Sequence, residues 1–332
     1  MGTVLSNSIR KKLVNALLSA SDDEYLSGQN LADVLGCSRT AVWKHIEDLR
    51  KLGYEVEAVK KKGYRIIRKP NQLSEEEILF GLRTSFIGRN IIHYETVDST
   101  QIEAKKFARN QAPEGTLVIA EEQTQGRGRM AREWHSSKKK GIWMSLIIRP
   151  KLPLEKAPQF TLLTAIAVAK AIEEVTQLRP EIKWPNDILL DGKKVTGILT
   201  EVQGEPDHIN YLVIGIGINV NHTQDDFPED VRDIATSLSI QANNSVSRVA
   251  LIQSIMHYFE EYYQLYVEQG FVPLKPIWEK YAISIGKEII ARTVSGNIYG
   301  KAIGITDEGV LKLADDQGNI QLIYSADIDI CT

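Results

Sequence analysis

The stretch Gly126-Arg127-Gly128-Arg129-Met130-Ala131-Arg132-Glu133-Trp134 decides how this chain is read. Glycines let a backbone approach a ligand closely, and successive N–H groups there can form an anion-binding concavity. The arginines add charged forks that match carboxylate or phosphate. Trp134 offers a flat apolar surface for a ring or thioether. Such a loop suits a ligand that is anionic at one end and apolar along its body. Gly126-x-Gly128-x-x-Ala131 also matches the dinucleotide fingerprint, which requires a strand leading straight in and a helix leading straight out. Here the strand-like run 116–120 ends before a polar spacer, Glu121 to Gln125, and no helical apolar period follows Ala131. The match is therefore read as accidental. No Gly-x-x-x-x-Gly-Lys-Ser/Thr loop occurs either. Standing alone, the stretch would serve equally well as a solvated basic loop.

Working outward, strand-like and helical stretches alternate from Ile91 to about Phe271, which predicts an α/β domain. The candidate strands are 91–96, 116–120, 142–148, 181–184, 195–203 and 211–218; the candidate helices are 100–111, 158–176 and 247–268. Four constellations stand near strand ends. Asp98-Ser99-Thr100-Gln101 precedes a helix, and Thr100 with Glu103 fits a capping box. Glu121-Glu122-Gln123-Thr124-Gln125 leads into the basic loop, and a buried Gln can satisfy both a donor and an acceptor of an amide or urea. Lys183-Trp184-Pro185-Asn186-Asp187 has the composition of a turn. Gly215-Ile216-Gly217-Ile218-Asn219 reads, taken alone, as a strand with a bulge. Between the last two, Asp191-Gly192 marks a hairpin that carries Lys193 and Lys194.

Residues 1–69 hold 13 Lys and Arg against 8 Asp and Glu, a surplus of five in a chain whose net charge is −3, so the remainder carries −8. A basic front module on an acidic body points to a polyanion partner. Ile9, Leu13, Ala16 and Leu17 share a helical face between Ser6 and Ser19. Ser27 caps a second helix, 28–35, which Gly36 ends. Ser38 caps a third helix, in which Val42, Ile46 and Leu49 repeat at helical spacing. Tyr54, Val56 and Ala58 alternate, Lys60-Lys61-Lys62-Gly63 turns, and Tyr64 and Ile66 alternate again. That order is a winged helix. Its third helix presents Ser38, Arg39, Thr40, Trp43 and Lys44, with Gly28 nearby; Lys60, Lys61 and Lys62 on the wing suit backbone phosphates. Cations on both elements favour DNA over a protein-contact role. Pro70-Asn71-Gln72 reads as a linker, and Ser74-Glu75-Glu76-Glu77 starts a new helix. After about Ile283, short strands 288–294, 298–305, 310–313 and 320–324 predict a small β-barrel.

No signal segment opens the sequence and no apolar run is long enough to span a bilayer. The two cysteines, Cys37 and Cys331, show no metal spacing. The expected setting is the reducing cytoplasm, with no membrane partner and no resident metal site.

The ordered set Asp98-Ser99-Thr100, Gln123, Gly126-Arg127-Gly128-Arg129…Trp134, Lys183-Trp184-Pro185-Asn186-Asp187, Lys194-Val195-Thr196-Gly197 and Gly215-Ile216-Gly217-Ile218-Asn219 resembles that of biotin–protein ligases. With the winged helix in front, the chain is similar to the bifunctional bacterial ligases that also repress the biotin operon. Many members carry Arg-Gly where this chain has Met130-Ala131.

The resemblance implies three domains: a winged helix at 1–69, a mixed-sheet α/β (α+β) ligase domain at 70–282 and an SH3-like barrel at 283–332. It implies that biotin and ATP give biotinyl-5′-AMP and pyrophosphate. Biotin then passes to a carrier-domain lysine of acetyl-CoA carboxylase or another biotin-dependent carboxylase. Ser99, Thr100 and Gln123 would hold the ureido ring, with Gln101, Gly126, Gly128, Gly197, Gly215 and Gly217 around biotin and Trp134 as a wall. Arg127 and Arg129 would surround the carboxylate and α-phosphate. Arg132, Lys183, Asn186 and Asn219 would serve the nucleotide, and Mg2+ would shield the leaving pyrophosphate. Lys194 would be the cation at the reacting oxygens, in a catalytic set with Arg129, Lys183 and Asp187. Asp187 would orient or deprotonate the target lysine. Biotinyl-5′-AMP would also act as corepressor, promoting a homodimer that binds operator DNA of biotin genes. A non-catalytic ligand-sensing repressor and a lipoate-type ligase are the rival readings.

Overall fold

The structure, a computed structural model, describes residues 9, 12–14, 16–17, 20, 24–51, 53–68 and 73–331. The chain divides into two compact units, residues 1–72 and 73–332. Ser6 and Ser19, the limits of the expected first helix, and the expected linker Pro70-Asn71-Gln72 lie outside the described residues.

In the first unit, α1 (Gly28–Leu35) and α2 (Arg39–Lys51) precede a hairpin of β1 (Glu55–Val59) and β2 (Gly63–Arg68). Ser27 caps α1 by accepting from the Asn30 N–H, and Gly36 ends it in the left-handed conformation. Ser38 Oγ accepts from the Ala41 N–H at 3.2 Å. Leu31, Leu35, Val42, Ile46 and Leu49 are buried, as are Leu13 and Leu17. Burial of that stripe turns Ser38, Arg39, Thr40, Trp43 and Lys44 to the outside. At the wing tip Gly63 has φ 125°, and a side chain there would meet the Leu26 carbonyl oxygen at 2.0 Å. Only glycine closes the wing this tightly.

The second unit opens with α3 (Glu75–Gly81), capped by Ser74, whose first turn is the acidic run. A seven-stranded sheet follows, in the order β3-β4-β5-β9-β8-β7-β6. Its strands are β3 (Ile91–Tyr94), β4 (Leu117–Ala120), β5 (Ile142–Ile148), β6 (Glu181–Lys183), β7 (Asp187–Leu190), β8 (Lys193–Glu205) and β9 (His208–Ile218). β3 and β4 are parallel, joined through α4 (Thr100–Arg109); every other pair is antiparallel. The sheet is therefore mixed.

Side chains alternate across it with period two. Val118, Ile147 and Val213 face Ala104 and Ala108 of α4. Leu117, Ile119, Leu146, Leu212 and Ile214 face the larger core. There α5 (Ala157–Thr176) packs on α7 (Arg248–Gln269), beyond the short α6 (Leu238–Ala242). After α8 (Lys275–Tyr281), a five-stranded antiparallel sheet is ordered β13-β12-β11-β10-β14. Its strands are β10 (Glu288–Thr293), β11 (Gly296–Ile305), β12 (Leu311–Ala314), β13 (Ile320–Ile323) and β14 (Asp327–Ile330). Its inner residues Ile289, Ala302, Leu311 and Ile328 join the same core as the large sheet. No helix among the described residues is long and apolar enough to cross a membrane.

Two local expectations are corrected. Thr100 does not form a capping box with Glu103; Ser99 holds the cap position without a side-chain bond, and the Thr100 hydroxyl turns inward instead. β9 runs through Gly215 and Gly217 in regular register, so those glycines mark no bulge.

Candidate active site

A cavity of about 270 Å³ opens over the large sheet, beside the loop between β4 and β5. Its floor is made by absence of side chains. Gly197 of β8 and Gly217 of β9 are cross-strand partners. The Trp134 indole lies on them: a Cβ at Gly217 would stand 2.5 Å from Trp134 Nε1, and one at Gly197 2.9 Å from the ring. A Cβ at Gly215 would stand 2.6 Å from Gln101 Oε1. The Gly-x-Gly spacing thus puts both glycines on one face of a strand where neighbouring side chains approach the backbone.

One end of the cavity is a polar network. Gln123 Oε1 accepts from the Thr100 N–H at 2.9 Å and the Thr100 hydroxyl at 3.0 Å. Gln123 Nε2 donates to Ser136 Oγ at 2.8 Å. Ser145 Oγ lies 2.9 Å from Thr100 Oγ1 and donates to Gln101 Oε1 at 3.0 Å. Gln101 Nε2 donates to the Val213 carbonyl at 3.0 Å. Ser99 Oγ and Trp134 Nε1 are buried without partners. Buried polar groups are ordinarily satisfied, so both point to a ligand that supplies the missing bonds.

The other end is a chain of alternating charge. Lys194 Nζ lies 2.8 Å from Asp187 Oδ1 and 5.3 Å from the centre of the Trp134 ring. Asn186 donates to Asp187 Oδ1 at 3.0 Å and accepts from Arg129 Nη1 at 2.9 Å. Arg129 also reaches Ser325 Oγ at 3.3 Å and Asp327 Oδ1 at 3.7 Å; Arg132 reaches Asp327 Oδ2 at 2.5 Å. The C-terminal sheet, through Asp327 at the start of β14, therefore holds two arginines of the basic loop. Within that loop Met130 (φ 54°) and Ala131 (φ 58°) are both left-handed.

A third wall, past Asn219, contains His222, Asp226, Phe227 and Ile234. The His222 ring stacks on Phe227 with centroids 5.2 Å apart, and its Nδ1 is buried without a partner. Burial pushes its pKa down to about 4 despite the Asp226 charge, so the ring is neutral at pH 7. Burial pushes Asp226 up, but hydrogen bonds from the Thr223 backbone N–H, Lys140 and the Thr223 hydroxyl outweigh it and hold the carboxyl at about 2.

Of the expected site residues, Ser99, Thr100, Gln101, Gln123, Arg127, Gly128, Arg129, Arg132, Trp134, Asn186, Asp187, Lys194, Gly197, Gly215, Gly217 and Asn219 line this cavity. Two do not. Gly126 packs under the loop, where a Cβ would meet the Trp134 carbonyl oxygen at 2.2 Å. Lys183 faces Asp329, 3.9 Å away. On the winged unit, Trp43 is 55% exposed and Lys60, Lys61 and Lys62 are exposed, whereas Gly28 is half-buried beside Tyr64 and Arg39. The sequence reading missed Ser145, His222, Phe227, Ile234 and Asp327. A serine inside the apolar run 142–148 was the one visible signal among them.

Three family profiles match the chain: "HTH domain" over residues 10–65, "Biotin/lipoate A/B protein ligase family" over 94–219, and "Biotin protein ligase C terminal domain" over 284–330. The chain is 55% identical over 326 residues to the bifunctional ligase/repressor BirA of Bacillus subtilis (strain 168), covering 98% of this chain and all of that one. It is 29% identical to the bifunctional ligase/repressor BirA of Escherichia coli (strain K12), covering 93% of this chain and 94% of that one. Among solved structures, it is similar to the biotin protein ligase from Aquifex aeolicus in complex with biotin and ATP. That likeness has a TM-score of 0.64 and 30% identity, and covers 73% of this chain and 99% of that one.

Proposed function

The chain belongs to the biotin–protein ligase family in its bifunctional ligase/repressor form, and from that premise we propose how its own residues do the work. It activates biotin with ATP, transfers it to a carrier lysine of a biotin-dependent carboxylase such as acetyl-CoA carboxylase, and represses transcription through its winged helix. The observation that carries the site assignment is the polarity of one cavity. A neutral hydrogen-bonding end with an unpartnered Ser99 hydroxyl and a cationic end at Lys194 and Arg129 are separated by a glycine floor under Trp134. Biotin has the same order of parts: ureido ring, apolar body, carboxylate.

Ser99, Thr100 and Gln123 take the ureido ring. The carboxylate then lies toward Lys194, Arg127 and Arg129. There a carboxylate oxygen attacks the α-phosphorus of ATP, the bond to the bridging oxygen breaks, and pyrophosphate leaves. Two anions must meet, so preorganised cations supply much of the catalysis. In the second step the carrier amine attacks the acyl carbon and AMP departs with the bonding pair. The amine has an ordinary pKa near ~10.4 and must shed a proton. Asp187 is the nearby carboxylate, held until then by Lys194 and Asn186; once Lys194 pairs with substrate oxygens, it can accept that proton. Asn219, His222, Phe227 and Ile234 serve the nucleotide side.

Among the described residues the one cluster with metal-ligand spacing, Glu205, Asp207 and His208, lies exposed at the β8–β9 turn, away from the cavity. Mg2+ would enter with ATP as the Mg–ATP substrate and shield the charge of the leaving pyrophosphate. Biotinyl-5′-AMP retained in the cavity orders the basic loop and favours a homodimer whose paired winged helices match a two-fold operator. A ligand shifts that equilibrium only by its differential affinity for the dimer-competent state.

Incubation with ATP and either biotin or lipoate tests the reading. Biotin-dependent pyrophosphate release followed by labelling of a carrier lysine is expected. Release with lipoate alone would make this a lipoate ligase; binding without release would make it a sensor only.

A further inference from the structure

Both ends of the substrate loop meet at a buried ion pair that the chemistry above does not use. Glu121 follows β4 directly and Gly141 precedes β5 directly, so the loop springs from this point. Arg248, the first residue of α7, donates to Glu121 Oε2 at 2.6 Å and Oε1 at 3.2 Å. The same guanidinium donates to the Gly141 carbonyl at 3.2 Å. The two side chains are 1% and 0% exposed. Glu121 Oε1 also accepts from the Leu73 N–H at 2.7 Å. Leu73 is itself buried and is the first residue of the second unit, directly after residues 69–72. The Lys139 N–H donates to the Glu121 carbonyl at 3.2 Å, closing the loop base a second time.

Fully buried charges are a costly way to hold a core together, since apolar side chains of similar volume do it as well or better. What Arg248 adds is a planar fork that reaches both loop ends at once. What Glu121 adds is a second oxygen site that reaches the Leu73 backbone. We propose that Glu121 and Arg248 are positioning residues, a clamp that fixes the loop of residues 121–141 and the root of the segment leading to the winged helix as one element. A ligand that orders the loop thereby also tightens the Leu73 bond, and the state of the cavity is registered where the DNA-binding unit is attached. This inference rests on the ligase/repressor reading of the cavity.

Amide hydrogen exchange on the full chain, alone and with biotin plus ATP, tests the clamp without any variant. The Leu73 amide is expected to slow by about tenfold together with the loop amides, as members of one cooperative unit do. Loop amides that slow while Leu73 stays unchanged would overturn the clamp. Glu121→Gln with Arg248→Met supplies a second readout, because the pair is neutral and Gln can still accept from Leu73. This variant is expected to raise KM for biotin about tenfold while transfer from preformed biotinyl-5′-AMP stays within about twofold, a split that general destabilisation does not produce. A folded variant with wild-type KM would overturn the proposal. Pyrophosphate release by the wild-type chain separates the two failures. Release with an unresponsive Leu73 overturns the clamp alone; no release overturns the ligase reading and the clamp with it.

Discussion

Ala131 sits in the left-handed region at φ 58°, directly after Met130 at φ 54°. A side chain there costs roughly 1 kcal/mol relative to glycine. Glycine adopts that conformation freely, and this chain carries two side chains in succession where its loop geometry is most demanding. Ala131→Gly is expected to favour the ordered loop and to slow dissociation of biotinyl-5′-AMP several-fold, read by a chase with unlabelled ligand. Gly217→Ala works in the opposite sense. Its methyl group would stand 2.5 Å from Trp134 Nε1, so the indole must leave the glycine floor, and biotin affinity measured by calorimetry is expected to fall at least tenfold. His222 carries the pH dependence. Its folded pKa of about 4 lies below the ordinary 6.5, so between those values the unfolded chain binds a proton that the folded chain refuses. Stability is then full above pH 6.5 and falls with pH until about 4, by roughly 3 kcal/mol for this group. Urea unfolding at pH 7 and pH 5 should show that loss, and His222→Gln should show less of it.

At the scale of elements, the long patterned segments were legible and the short ones were not. The helical period of 158–176 and the continuous apolar run of 142–148 match α5 and β5 to within a residue, because α5 buries a complete apolar stripe and β5 is buried on both faces. β7 starts on Asp187, the last residue of what reads as a Pro-Asn-Asp turn, and was implied only by the hairpin at Asp191-Gly192; β14 is four residues of alternating Asp and Ile, and α8 was not read at all. None of these is long enough to show a period by itself. Within the site, residues near strand ends with unusual glycines or charges were legible, while the 220–236 wall holds only one short 3-10 turn, Gln224–Asp226, to place it. Asp327 was invisible for a different reason: its partners Arg129 and Arg132 are almost 200 positions away. That pairing makes the C-terminal sheet part of the loop's support. Asp327→Asn is expected to free the arginines and speed tryptic cleavage between residues 127 and 132 several-fold in the ligand-free protein, read by mass spectrometry.

At the scale of the whole molecule, a basic reading helix and wing stand on a chain whose net charge is −3. Lys60, Lys61 and Lys62 are exposed, and their expected role is to meet phosphates. Replacing all three by alanine is expected to flatten the salt dependence of DNA binding by about 0.9 in log–log slope for each phosphate no longer neutralised, with operator preference over random duplex retained. Under the proposed function the chain both makes an adenylate and responds to it, which would bring the two activities together in one cavity. Native mass spectrometry of the full chain with biotin and Mg–ATP tests that claim most directly. The expected result is one biotinyl-5′-AMP retained per chain, in a species of two chains. Biotin and ATP bound side by side and unjoined, or adenylate formed and released with the chain still monomeric, would contradict it.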